Sequence, residues 1–147
     1  HRGGGAVGRG DAGAGRGGDG GASRSAHDRP SPWGDAPPGA EHGVFDFHQW
    51  SPAPVGSRPA GVSAFGVHEL VGNGWEWTRT PFRPLPGFTP WARTYPGYSA
   101  DFFDDAHFVV FGGSWATDAR LLRRSFRNWY QPEYPFVFSK FRVVHPG

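Results

Sequence analysis

Glycine and proline interrupt this chain so often that a long helix has no place to form. The 147 residues hold 24 Gly and 15 Pro, more than a quarter of the total. Proline lacks the amide that an inner helical turn needs, and glycine costs about 1 kcal/mol there relative to alanine. No twelve-residue window both lacks Gly and Pro and carries the 3.6-residue apolar period convincingly. The expected backbone is therefore loop-rich, with short strands between turns. It is still expected to pack, because 13 Phe, 7 Trp and 4 Tyr are far more aromatic residues than a disordered chain carries.

The two tendencies are segregated along the chain. Residues 1–30 contain eleven Gly, no aromatic residue, and Val7 as the single branched apolar residue. Such a stretch cannot offset its ordering entropy and is expected to be disordered. Its arginines (Arg2, Arg9, Arg16, Arg24, Arg29) lack the tandem units and interleaved Phe or Tyr of an RNA-binding tail. A third reading is translation out of frame, because fourteen Arg against one Lys suits GC-rich coding. The chain starts at His1 and has no Met, which reads as a fragment, a processed product or an incomplete gene model.

Several chemistries are excluded at once. Without cysteine there is no disulfide framework, zinc-thiolate site, Fe–S cluster or thiol nucleophile. No apolar run approaches the ~18–20 residues of a membrane span, and no signal-peptide core is visible. A net charge of +2 gives no argument for nucleic acid. A cytoplasmic protein with neither nucleic-acid nor membrane partners is expected.

Local patterns then place short elements. Ser31-Pro32-Trp33-Gly34-Asp35 is turn chemistry around an aromatic residue. Val44 to Phe47 alternates apolar and polar and predicts a short strand. Residues 51–64 predict extended loop, and Ala64 to Val71 a strand or a turn of helix. Gly72 to Thr78 is a glycine-bracketed aromatic segment, and residues 79–100, with five prolines, predict a long structured loop. His107 to Phe111 predicts a strand, residues after Asp118 one short helical turn, and Phe136 to Val144 a closing strand.

The motifs Gly72–Thr78 (G-N-G-W-E-W-T), Gly112–Trp115 (G-G-S-W), Arg124–Asn128 (R-S-F-R-N) and Phe141–Arg142 follow one another in fixed order. Together with Pro32–Asp35, they resemble the C-terminal part of the formylglycine-generating-enzyme-like (sulfatase-modifying factor) domain over roughly residues 31–145. The resemblance implies an α+β fold dominated by irregular structure, a variant of the C-type-lectin-like fold, here truncated at its N-terminal side. Formylglycine generators bind copper through a cysteine pair just after the G-G-S segment; the stretch Ala116–Leu122 has none, so that chemistry is unavailable. The segments Phe126–Trp129, Pro86–Phe88 and Tyr95–Ser99 look instead like the ergothioneine-type sulfoxide synthases. That resemblance implies an enzyme using non-haem Fe(II) and O₂ to join a thiol to a histidine betaine. Its iron ligands would lie on a separate N-terminal helical-bundle domain that this chain lacks.

Candidate site residues follow partly from chemistry and partly from that resemblance. His42, His48, His68 and His107 show no ligand spacing and read as surface or hydrogen-bonded histidines. Tyr95 and Tyr98 lie in a Pro/Gly-rich loop, where a phenol can donate a proton or simply pack. The resemblance makes them the catalytic candidates, with Tyr95 as donor. It likewise assigns Asn128 and Trp129 to substrate binding, an aromatic face suiting a trimethylammonium group. Tyr130 and Tyr134 complete the candidate substrate-binding set, at positions where γ-glutamylcysteine-using synthases carry an acid and an arginine. That departure favours cysteine or another thiol as sulfur donor.

Glu69, Gly72, Gly74 and Glu76 flank a glycine turn that could offer oxygens to a hard cation. This resembles a calcium site in formylglycine generators, where Asn stands at the position of Glu69. The alternative is a turn with Glu76 paired to an arginine. For the whole chain, the alternative to the enzyme reading is a non-catalytic lectin-like binding module on the same scaffold.

Overall fold

The structure is a computed structural model that describes residues 28–91, 93 and 100–143. The disorder expected for residues 1–30 falls, up to residue 27, outside these described residues.

A four-stranded sheet organises the described chain: β1 (Trp75–Pro81), β2 (Phe108–Phe111), β3 (Arg127–Tyr130) and β4 (Ser139–Lys140), in the order β3-β2-β1-β4. The β1/β2 and β2/β3 pairs are antiparallel, whereas β4 runs parallel to β1 with Trp75 opposite Ser139 and Glu76 opposite Lys140. The remaining regular structure is three single 3₁₀ turns, at Pro59–Gly61, Ala100–Phe102 and Ala119–Leu121. The irregular, strand-led character expected from the Gly and Pro content is what is found, and among the described residues the helical part of the α+β class is confined to these turns.

Within β1 the register slips between Trp77, opposite Val110, and Pro81, opposite Phe108. Proline cannot donate to a ladder and is tolerated at such irregularities. Thr78 bridges the gap with its own hydroxyl, which donates to the Val109 carbonyl at 2.8 Å. The strand predicted at His107–Phe111 and the helical turn predicted after Asp118 are both present. Asp118 caps that turn by accepting the Arg120 amide at 2.8 Å.

Other expectations fail for identifiable reasons. Val44–Phe47 is not a strand: Val44 makes one isolated bridge to Gly72, and the chain turns at once through positive φ at Asp46 and Phe47. Its alternation reflects burial of Val44 and Phe45 in a tight corner. Ala64–Val71 is an irregular segment. The closing strand shrinks to two residues, and Phe136, Phe138, Phe141 and Val143 are exposed. The aromatic segment after Gly74 is strand β1, which also takes in Arg79 to Pro81 of the predicted loop.

The core is small. Val44, Phe45, Val109 and Val110 are fully enclosed, with Trp75 and Phe82 nearly so. Trp77 and Trp115 are half-buried. Backbone hydrogen bonds from Gly72 to Gly112 and from Asn73 to Val44, each 2.7 Å, fasten the 42–45 corner, the glycine turn and the end of β2 together. Asn73 adds two further bonds, accepting the Ala53 amide at 3.0 Å and donating to the Ala53 carbonyl at 3.2 Å.

Candidate functional site

Strand β3 carries three of the sequence-predicted residues, Asn128, Trp129 and Tyr130, and by alternation divides them between two faces. Asn128 and Tyr130 share one face, where Asn128 Nδ2 donates to the Tyr130 hydroxyl at 3.1 Å. Trp129 points to the other, stacking on Phe82 with centroids 4.1 Å apart and an interplanar angle of 10°. The predicted pair of Asn128 and Trp129 is thus adjacent in sequence but placed back to back.

On the Asn128 face, Tyr130 stacks on Tyr134 at 5.4 Å and 10°, and Phe136 meets Tyr134 edge-on at 5.7 Å. Burial raises the Tyr130 phenol above its ordinary pKa, and the neighbouring Tyr134 adds to the effect; the hydrogen bond from Asn128 opposes it. Tyr130 therefore stays a neutral hydroxyl at physiological pH. The face offers amide, phenol and stacked rings, and Tyr134 is 45% exposed.

Behind Trp129 lies a cavity of about 280 Å³, lined among others by Phe82, Phe88, Phe103, Arg123 and Arg127. The Arg127 guanidinium stands 5.1 Å over the Phe82 ring, and burial lowers its pKa. A larger cavity of about 400 Å³ shares the wall formed by Arg123 and Phe126 but is lined by none of the predicted site residues. Tyr95 and Tyr98, the predicted catalytic pair, lie outside the described residues.

The glycine turn brings Glu69, Gly72, Gly74 and Glu76 together, but cations from β4 and beyond occupy it. Lys140 Nζ donates to the carbonyls of Glu69 and Gly72. Arg142 Nε meets Glu76 Oε1 at 2.5 Å, and its terminal nitrogen donates to the His68 carbonyl at 2.6 Å. Burial pushes the Lys140 ammonium down to a pKa of about 8, the nearby acids opposing that shift. The arginine pairing weighed for Glu76 is the arrangement present. Lys140 was missed, although its being the single Lys beside fourteen Arg was a signal in the sequence.

Among the described residues no three His, Asp or Glu side chains converge as a metal site would require. His42 accepts the Gly39 amide at 3.1 Å and stacks on Trp33, while His107 is held 2.9 Å from the Asp104 carboxylate. At the turn expected to hold calcium, the group that the Glu69 and Gly72 carbonyls face is Lys140 Nζ. No helix among the described residues is long and apolar enough to cross a membrane.

Comparison with known proteins adds an independent line. The sulfatase-modifying factor enzyme 1-like domain matches residues 12–146, beginning inside the Gly/Arg-rich stretch rather than near residue 31. A hercynine oxygenase of Mycolicibacterium thermoresistibile is 46% identical over 120 residues, covering 79% of this chain and 26% of the relative. One from Mycobacterium tuberculosis is 43% identical over 116 residues, 79% of this chain and 27% of the relative. The ergothioneine biosynthesis protein 1 of Neurospora crassa is 50% identical over 99 residues, 67% of this chain but 11% of the relative. The chain thus spans about a quarter of the length of the hercynine oxygenases it matches.

Proposed function

The chain belongs to the sulfatase-modifying factor enzyme 1-like family, and on that premise we propose that it is the substrate-binding part of a sulfoxide synthase of ergothioneine biosynthesis. The observation that carries this reading is the 46% identity over 120 residues to a hercynine oxygenase. In the proposed reaction a thiol S–H and an imidazole C–H are lost. A C–S and an S–O bond form, and O₂ supplies the sulfoxide oxygen and one water. Iron would activate the oxygen, held by ligands outside the described residues of this chain, on an N-terminal domain of the kind the sequence resemblance implies.

The residues present supply recognition. Asn128 gives an amide for hydrogen bonding, with its Nδ2 already pointing along the Tyr130 hydroxyl. The Tyr130–Tyr134 stack offers ring faces of the kind that attract a quaternary ammonium. Two phenols cannot form the ion pairs an acid and an arginine would give a glutamyl group, so cysteine is the proposed sulfur donor. Tyr95 is the proposed proton donor and Tyr98 its neighbour in the site. Trp129, stacked on Phe82, acts from behind by fixing the strand.

The test places residues 31–143 in the matching segment of a hercynine oxygenase, supplies iron, and compares Tyr95→Phe with the unmodified chimera. That change deletes one hydroxyl and almost no volume. Loss of a positioned proton donor lowers kcat by ~10²–10⁴-fold with little change in KM. Tyr98→Phe should be milder. An unmodified chimera that is active while Tyr95→Phe retains its full rate would make Tyr95 a packing residue.

A second reading is a non-catalytic lectin-like module on the same scaffold. A folded, iron-loaded chimera without turnover would favour it.

A further inference from the structure

The turn from His68 to Glu76 gathers more oxygen atoms than its hydrogen bonds use. Glu69 is 6% exposed, yet neither of its carboxylate oxygens has a hydrogen-bond partner. Glu76 Oε2 is likewise buried and unpartnered, while Oε1 faces Arg142. The carbonyls of Glu69 and Gly72 converge on a single atom, Lys140 Nζ, the latter at 3.0 Å. Converging carbonyls beside carboxylates are the donor set of a hard divalent cation. Here an ammonium stands at the point of convergence.

Charge and shape agree with that placement. Glu69 and Glu76 carry two negative charges, and Lys140 and Arg142 carry two positive ones. A divalent ion added to this balanced and partly buried group would leave it two charges in excess, which opposes its binding. Lysine also suits the position where arginine would not. A compact ammonium with three donors can cap two carbonyls aimed at one point, whereas a planar guanidinium spreads its donors along a fork. The chain uses arginine at all fourteen of its other Lys/Arg positions. The parallel pairing of β4 with β1, with Lys140 opposite Glu76, is what delivers the ammonium across 71 residues of sequence to Glu69.

We propose that Lys140 is the built-in cation of this turn: it fills the position a divalent metal would take, so the native turn binds none, and removing the ammonium opens a metal site. The carboxylate oxygens of Glu69, which lack a partner in the native turn, would then become ligands.

Terbium, which is luminescent when excited through nearby tryptophans, serves as the probe. It is titrated into the full 147-residue chain after chelator treatment. Melting temperatures are measured in excess calcium and in chelator. The native chain should give no bound-terbium signal and one melting temperature in both buffers. Lys140→Met should melt lower in chelator, regain several degrees in calcium and bind terbium. Adding Glu69→Gln to Lys140→Met should abolish both gains. Terbium binding with a calcium-dependent melting temperature in the native chain would overturn the proposal, whether or not the variant folds. A folded Lys140→Met that binds no terbium would overturn it equally.

Discussion

A methyl group at position 72 would run into the carbonyl of Val44, on a backbone already at a φ of +76°. Both the conformation and the close approach demand glycine there. Gly72→Ala should therefore destabilise the domain by ~1–3 kcal/mol, read as a lower urea midpoint at unchanged slope. A midpoint equal to that of the native chain would mean the turn is free to relax. The glycine-bracketed motif was legible in the sequence because this constraint is local. Lys140 and Asn73 were not, because their roles depend on partners 71 and 20 residues away, brought near only by the sheet. The same holds for Asn128 and Trp129: neighbours in a motif need not share a face, and strand alternation parts them.

The turn at Ala119–Leu121 shows what an element's end contributes. Its cap, Asp118, has a carboxyl pKa lowered to about 2, first by the side-chain hydrogen bond from Arg120 and then by the Arg120 amide. A depressed acid stabilises the fold above its ordinary pKa and loses that contribution as pH falls through the folded value. Stability should thus decline between about pH 4 and 2, and Asp118→Asn should flatten that part of the profile in thermal melts. An unchanged slope in the variant would assign the acid sensitivity elsewhere. This turn and strand β2 were readable because a capping Asp and a run of apolar residues act locally. The strands misread at Val44–Phe47 and after Phe136 carry similar patterns. Their apolar residues instead fill a corner in the first case and stay exposed in the second.

Taken together, the described residues form a four-stranded sheet with a handful of enclosed side chains and a wide aromatic surface. Phe47, Trp50, Trp115 and Phe138 join in one ring cluster with centroid spacings of 4.6 to 5.6 Å, and three of the four are largely exposed. Composition and motif order were enough to read the irregular fold and the family. The proposed substrate face was legible only as a set of residues, since the Tyr130–Tyr134 stack depends on a turn whose path no motif specifies. The proposed role of this face is to present a cysteine-like thiol to a histidine betaine. Its most direct test is a competition in the iron-loaded chimera carrying residues 31–143, given histidine betaine, O₂ and equal cysteine and γ-glutamylcysteine, with products separated by mass. The cysteine-derived sulfoxide is the expected main product; a folded chimera that forms only the γ-glutamylcysteine adduct, or no sulfoxide at all, would overturn the proposed role.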